Sequence, residues 1–196
     1  MKVILRKKPR YGVGLCWLAA GVAVVLALIF WRDPVRDLWV DDTKYAEEIR
    51  EAAARHGLPP ELVRAVIFRE SRFDPAARGK AGEVGLMQVL PSGAAAEWAR
   101  VRKCPAPSVR ELYDVRTNLE VGCFYLAKGM RRWQAYQGRT ALALCQYNAG
   151  ESRAVKWRPE NPQDADILPR ISIRSTREYV RAVLKRYWRY CEEQKK

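Results

Sequence analysis

The sequence predicts a mainly α domain carried behind one N-terminal transmembrane helix. Three observations lead there. Apolar residues recur at intervals of three and four from Thr43 onward, no β-rich segment of any length or internal repeat appears, and residues 11–31 carry no charged side chain. A chain of 196 residues with a hydrophobic fraction of 48% has room and apolar material for one ordinary domain.

Lys2, Arg6, Lys7, Lys8 and Arg10 precede the uncharged run. At about 1.5 Å per residue, a helix over 11–31 spans roughly 30 Å, the hydrocarbon thickness of a bilayer. Arg32 and Arg36 are the only basic residues close behind it, so the positive-inside rule leaves the N-terminus in the cytoplasm and the domain on the other side. Tyr11, Trp17 and Trp31 put aromatics towards the two interfaces. No small-x-small cleavage site follows the apolar run, which ends Ile29-Phe30-Trp31-Arg32, so an uncleaved anchor is expected rather than a signal peptide. Leu15 ahead of Cys16, with the apolar run mostly beyond it, does not suit lipid attachment. The chain divides into a basic tail (1–10), an anchor (11–31), a short spacer broken by Pro34 (32–43) and a domain (44–196) held close to the membrane.

The formal charge is +14, and setting aside the five basic residues before Tyr11 leaves the rest at +9. Such a surface suits an anionic polymer or lipid as neighbour. Nucleic acid is not expected, because no base-reading or stacking motif accompanies the charge and the anchor directs the domain away from the cytoplasm. Cys104, Cys123, Cys145 and Cys191 would lie in an oxidising space and could pair in three ways, or Cys123 and Cys145 could serve as small buried residues. With no CxxC and His56 as the one histidine, neither a metal nor a cofactor is expected.

The first helix of the domain is predicted from Thr43 to His56, closed by Gly57. Pro59-Pro60-Glu61 opens a second, ended by Phe73-Asp74-Pro75 because proline disfavours helical geometry in the residue before it. Gly79, Gly82 and Gly85 punctuate a loop read as a tight hairpin or a close approach to ligand. Pro91-Ser92 starts a helix to Arg102, and a proline-broken stretch leads to a turn at Leu112-Tyr113. Leu119, Cys123, Leu126 and Met130 mark a helix from Arg116 to Gln137, and another runs from Thr140 to Asn148 and stops at Gly150. After a polar loop from Arg158 to Pro169, a last helix covers Ser175 to Cys191.

Glu70 does not fit this pattern. Leu62 and Val66, and Val63 and Ile67, place it on the apolar stripe of the second helix. Desolvation raises a carboxyl pKa, which is what a general acid near neutral pH requires. Taken alone, the residue is better read as a helix-end glutamate bound by backbone or arginine.

Four short motifs then occur in one order: Glu70-Ser71 with Phe73-Asp74-Pro75, Gly85-Leu86-Met87-Gln88, Tyr147-Asn148-Ala149-Gly150, and Thr176-Arg177-Glu178-Tyr179-Val180. Together they resemble the catalytic domain of soluble-lytic-transglycosylase type, a lysozyme-like fold, over roughly Tyr45 to Tyr190. The resemblance implies a small hairpin or loop region at a cleft and peptidoglycan glycan strands as substrate. Glu70 would protonate the oxygen between N-acetylmuramic acid and N-acetylglucosamine. It would then take the proton of the C6 hydroxyl as that oxygen attacks C1, giving a 1,6-anhydro end. Met87 would line the sugar cleft, and Gln88 would bond an N-acetyl group or hold the intermediate. Ser71 would touch substrate or fix the helix end, Tyr147 and Asn148 would bind sugar or shape the floor, and Tyr179 would orient Glu70.

The chain departs from the family pattern at Gly79, where serine is common, at Glu83, where a small residue is, and at Ser172 and Ile173, where proline and an aromatic are. Glu83 is a candidate second carboxylate: facing Glu70 across the cleft it would stabilise an oxocarbenium ion or support hydrolysis, and otherwise it is an exposed loop residue. The expectation is a single-pass inner-membrane lytic transglycosylase with its catalytic domain in the periplasm. The alternatives are a lysozyme-like hydrolase and a non-catalytic wall-binding scaffold.

Overall fold

The computed structural model describes residue 37 and residues 39–195. The membrane span expected over 11–31 lies outside them, and among the described residues no helix is long and apolar enough to cross a membrane. Residues 41–196 form one compact unit.

Seven helices make up the described part of that unit. They are α1 (Ala46–His56), α2 (Pro60–Ser71), α3 (Ala96–Arg102), α4 (Val115–Arg132), α5 (Arg139–Ala149), α6 (Glu151–Trp157) and α7 (Arg174–Glu193). A wide turn at Pro91–Ala95 leads into α3, and short 3-10 turns occupy Glu111–Tyr113 and Leu168–Arg170. Among the described residues β-pairing is confined to isolated antiparallel bridges of Val84 with Arg78 and with Val89, so the expected hairpin is a minimal one. α5 packs against α4, α6 and α7, while α2 packs against α7 and α1 against α4. Leu62, Val66, Leu119, Leu126, Leu142, Leu144, Val180 and Val183 are fully buried between these helices. They are the apolar positions that the spacing of three and four selects.

Several ends differ from the sequence expectation, each for a local reason. α1 starts at Ala46 rather than Thr43, because Thr43 bonds back to Asp41 through both its N–H and its hydroxyl and Tyr45 takes a left-handed φ of 59°. α2 is ended by two left-handed residues, Arg72 (φ 52°) and Phe73 (φ 64°), before Pro75 can act. Phe73 is buried, so the reversal carries its ring under the helix end. α4 stops at Arg132 rather than Gln137, where Trp133 turns into the core and its indole N–H donates to Gln146 Oε1 at 3.0 Å. α6 was not expected at all. Gly150 (φ 86°) ends α5 and redirects the chain straight into a new helix whose sequence, Glu151-Ser-Arg-Ala-Val-Lys-Trp157, buries only Ala154 and Trp157. The four described cysteines are unpaired, with Cys123 and Cys145 buried in α4 and α5.

The loop between α2 and α3 is fixed from beneath by Asn118, a buried amide on α4. Its Nδ2 donates to the carbonyls of Val84 and Leu112, both at 2.8 Å, and its Oδ1 accepts from Met87 N–H at 2.8 Å. Gly85 takes a φ of 76°, and a side chain there would collide with the same amide. Replacing Asn118 by Leu strands the Leu112 carbonyl and the Met87 N–H and leaves the Val84 carbonyl with the Val89 N–H alone, so urea unfolding should show a loss of about 3 kcal/mol.

Candidate active site

A cleft of about 500 Å³ opens beside the C-terminal ends of α2 and α5, with the glycine loop along one side. Glu70 lies in it, in the last turn of α2. Tyr179, on α7 and almost fully buried, donates its hydroxyl to Glu70 Oε1 at 2.7 Å. The packing of α2 against α7 makes this contact between residues far apart in sequence.

Glu70 is half-buried, with one side of the carboxyl open to the cleft and the rest enclosed by protein. Enclosure dominates its electrostatics and pushes its pKa from the ordinary 4.5 up to about 7. The Tyr179 hydrogen bond and the charge of Arg69 act in the opposite sense, and the negative charge of Glu83 adds to the rise. The outcome is a carboxyl whose pKa lies near neutral, the range in which a side chain can both donate and accept a proton.

The sequence-selected residues divide into those on the cleft and those behind it. Gln88, Tyr147, Asn148 and Glu83 line it together with Glu70. Gln88 holds a left-handed φ of 47°, and its Nε2 donates to the carbonyls of Ala77 (3.2 Å) and Gly85 (2.9 Å), which leaves Oε1 as its uncommitted acceptor. Tyr147 donates its hydroxyl to the Met87 carbonyl at 2.7 Å, so its ring, rather than its oxygen, faces the cleft. Ser71 is spent on structure, its single hydroxyl proton directed to the Leu86 carbonyl (2.8 Å) and shared with that of Ile67 (3.2 Å), and so clamps the loop to the end of α2.

Met87 departs from expectation. Its side chain is fully buried rather than lining the cleft. It packs on Gly122, where even one added carbon would strike its Sδ, and lies 3.9 Å from Cys123 Sγ.

Sequence reasoning missed several cleft residues. Tyr125 on α4 lines the cleft and meets Tyr147 at 5.7 Å between ring centres, making an aromatic wall. Its signal was available, as an aromatic one residue off the apolar stripe of α4. Lys80 and Arg153 also line the cleft and give it basic edges. Lys80 is in the glycine loop and Arg153 in the unexpected α6, so neither was marked by any motif. Asn118 showed as a polar residue at a core-facing position beside Leu119, which was the cue to a buried anchor.

Residues 47–168 match the family model described as the transglycosylase SLT domain. That stretch contains all the cleft residues above and stops before Tyr179. The membrane-bound lytic murein transglycosylase E of Buchnera aphidicola subsp. Acyrthosiphon pisum is 35% identical over 121 residues, which cover 60% of this chain and 55% of that protein. Two solved structures are similar. An inactive mutant of the lytic transglycosylase Slt from Pseudomonas aeruginosa matches with a TM-score of 0.69 and 26% identity over 78% of this chain and 25% of that one. The 70 kDa soluble lytic transglycosylase of Escherichia coli matches with a TM-score of 0.67 and 26% identity over 76% of this chain and 25% of that one. The chain thus spans about half the length of the curated relative and a quarter of the solved chains.

Because the folded-state pKa of Glu70 lies above its ordinary value, the folded protein binds this proton more tightly than the unfolded chain does. The resulting stabilisation is complete below about pH 4.5 and is lost as pH rises through about 7. Glu70→Gln cannot titrate, so wild type should lose up to about 2 kcal/mol relative to it between those pH values, allowing for partial exposure. Urea denaturation of both proteins at pH 4.5 and 8 measures the difference.

Proposed function

The chain belongs to the transglycosylase SLT domain family, and from that premise we propose that it is a lytic transglycosylase acting on peptidoglycan. The bond cut is the one from N-acetylmuramic acid to N-acetylglucosamine, and the product is a 1,6-anhydro end. The observation that carries this reading is the hydrogen bond from buried Tyr179 to Glu70, which fixes a carboxyl of raised pKa on the wall of a cleft that a glycan strand can reach.

Glu70 gives its proton to the glycosidic oxygen, and the C1–O bond breaks with its electron pair going to that oxygen. The carboxylate left behind then accepts the proton of the C6 hydroxyl as this oxygen closes on C1. No water is consumed. Tyr179 holds Oε1 throughout and directs the other oxygen to the substrate. Tyr125 and Tyr147 offer apolar faces to sugar rings. Gln88 Oε1 is placed to accept from an acetamido N–H, and exposed Asn148 contributes further polar contact. Ser71 and Met87 act from behind, by shaping the loop. Lys80 and Arg153 suit the carboxylates that peptidoglycan carries.

The rest of the arrangement is read from sequence: a cytoplasmic tail over 1–10, an inner-membrane anchor over 11–31, a spacer to about residue 43, and a domain in the periplasm. The Buchnera relative is named as membrane-bound, which is in keeping with the anchor.

A second reading, hydrolysis with water in place of the C6 hydroxyl, draws on the presence of Glu83 in the same cleft. Digestion of purified peptidoglycan followed by mass spectrometry separates the two: anhydromuropeptides are expected, whereas reducing ends alone would establish the hydrolase. Glu70→Gln should release at least about a hundredfold less product while keeping its fold, and retained cleavage would remove Glu70 from its role. Tyr179→Phe removes a bond that lowers the Glu70 pKa, so its alkaline activity limb should move to higher pH while turnover drops about tenfold.

A further inference from the structure

Glu83 stands where the family pattern has a small residue, and the structure gives it a built setting. It lines the same cleft of about 500 Å³ as Glu70. Its Oε2 accepts from the Ala81 N–H at 3.0 Å, and its backbone carbonyl accepts from Gly79 N–H at 2.8 Å, so the loop holds both ends of the residue. The side chain folds back over Gly79. A Cβ on Gly79 would lie 2.9 Å from Glu83 Cδ and 2.8 Å from Gln88 Oε1, a closeness that real Cβ atoms do not show. The two departures from the family pattern are therefore one: the missing side chain at 79 makes the space that the extra carboxylate of 83 occupies.

Resting on the lytic reading above, we propose that Glu83 is a second charged member of the site, a fixed carboxylate that compensates the positive charge developing at the anomeric carbon as the glycosidic bond breaks. In that step the proton of Glu70 passes to the leaving oxygen, the bonding pair goes with it, and C1 with its ring oxygen becomes cationic. A carboxylate held in place beforehand stabilises this charge without reorganising. The anomeric carbon is uncharged before the bond breaks and gains nothing from it, so the effect falls on the transition state.

Glu83 also acts on Glu70 through space, since its charge opposes ionisation of the acid. The other ionisable groups facing Glu70 are Tyr179 from α7, Tyr147 from α5 and Arg69 from its own helix. Tyr125, Lys80 and Arg153 complete those of the cleft. Of all these, only Glu83 places a second negative charge in the cleft.

The test is Glu83→Gln in the full chain, which keeps an acceptor for the Ala81 N–H and removes only the charge. Release of muropeptides from purified peptidoglycan, followed from pH 4 to 9, should fall about tenfold at neutral pH. Its alkaline limb should move to lower pH by roughly half a unit, because Glu70 ionises sooner without its negative neighbour. Gly79→Ala, which displaces the same carboxylate, should shift the limb in the same direction. An unchanged rate and pH profile in Glu83→Gln would overturn the proposal and leave Glu83 a loop-holding residue. Absence of product from wild type would defeat the lytic reading instead.

Discussion

Burying most of a carboxyl group at the end of an apolar helix is the constraint on which the arrangement depends. Left to itself, Glu70 would take up a proton and keep it well beyond neutral pH, or would turn out to solvent. The Tyr179 hydroxyl at 2.7 Å opposes both, by favouring the charged form, as the charge of Arg69 also does, and by fixing the orientation of the group. The bond exists because α7 lies against α2, so the longest helix of the described domain, through Val180 and Val183 in the core, is also what orients the acid. Stability and chemistry are linked at this point. The same enclosure that readies Glu70 as an acid weakens the fold once it ionises.

A second constraint follows from putting an irregular loop next to a core. The segment from Arg78 to Leu90 has almost no strand pairing, yet several of its backbone groups are buried. Side chains from three helices supply the missing partners: Asn118 from α4, Ser71 from α2 and Tyr147 from α5. The loop is thereby fastened to the rigid bundle as well as to itself. Gln88 and Glu83 inherit defined positions from that fastening, although they sit on a segment without regular structure.

Much of this was legible in the sequence because helices announce themselves by period, and the elements carrying Glu70, Tyr147 and Tyr179 were located within a few residues. The illegible parts have a common cause. Where a helix ends was decided by side chains seeking partners elsewhere, as with Trp133 and Thr43, or by left-handed residues that are not glycine, as with Arg72 and Phe73. The short helix after Gly150 buries too few residues to show a stripe. Met87 was misplaced because a motif gives the order of residues but not the side of the backbone to which each side chain points. The order of the motifs also does not tell that the Tyr147 hydroxyl is committed to the Met87 carbonyl.

The buried cysteines bear on how such a chain matures. Enclosure pushes the Cys145 thiol up to about 12 and that of Cys123 higher still, and the thiolate is the form that exchanges disulfides or is oxidised. Once the helices have closed over them, both sulfurs are shielded and held as thiols, which disfavours exchange and oxidation. Before closure the same thiols have ordinary reactivity and four cysteines can meet in the open chain. In the periplasm proposed for this domain, collapse and oxidation would therefore compete, and packing of α4 against α5 is what withdraws Cys123 and Cys145 from that competition.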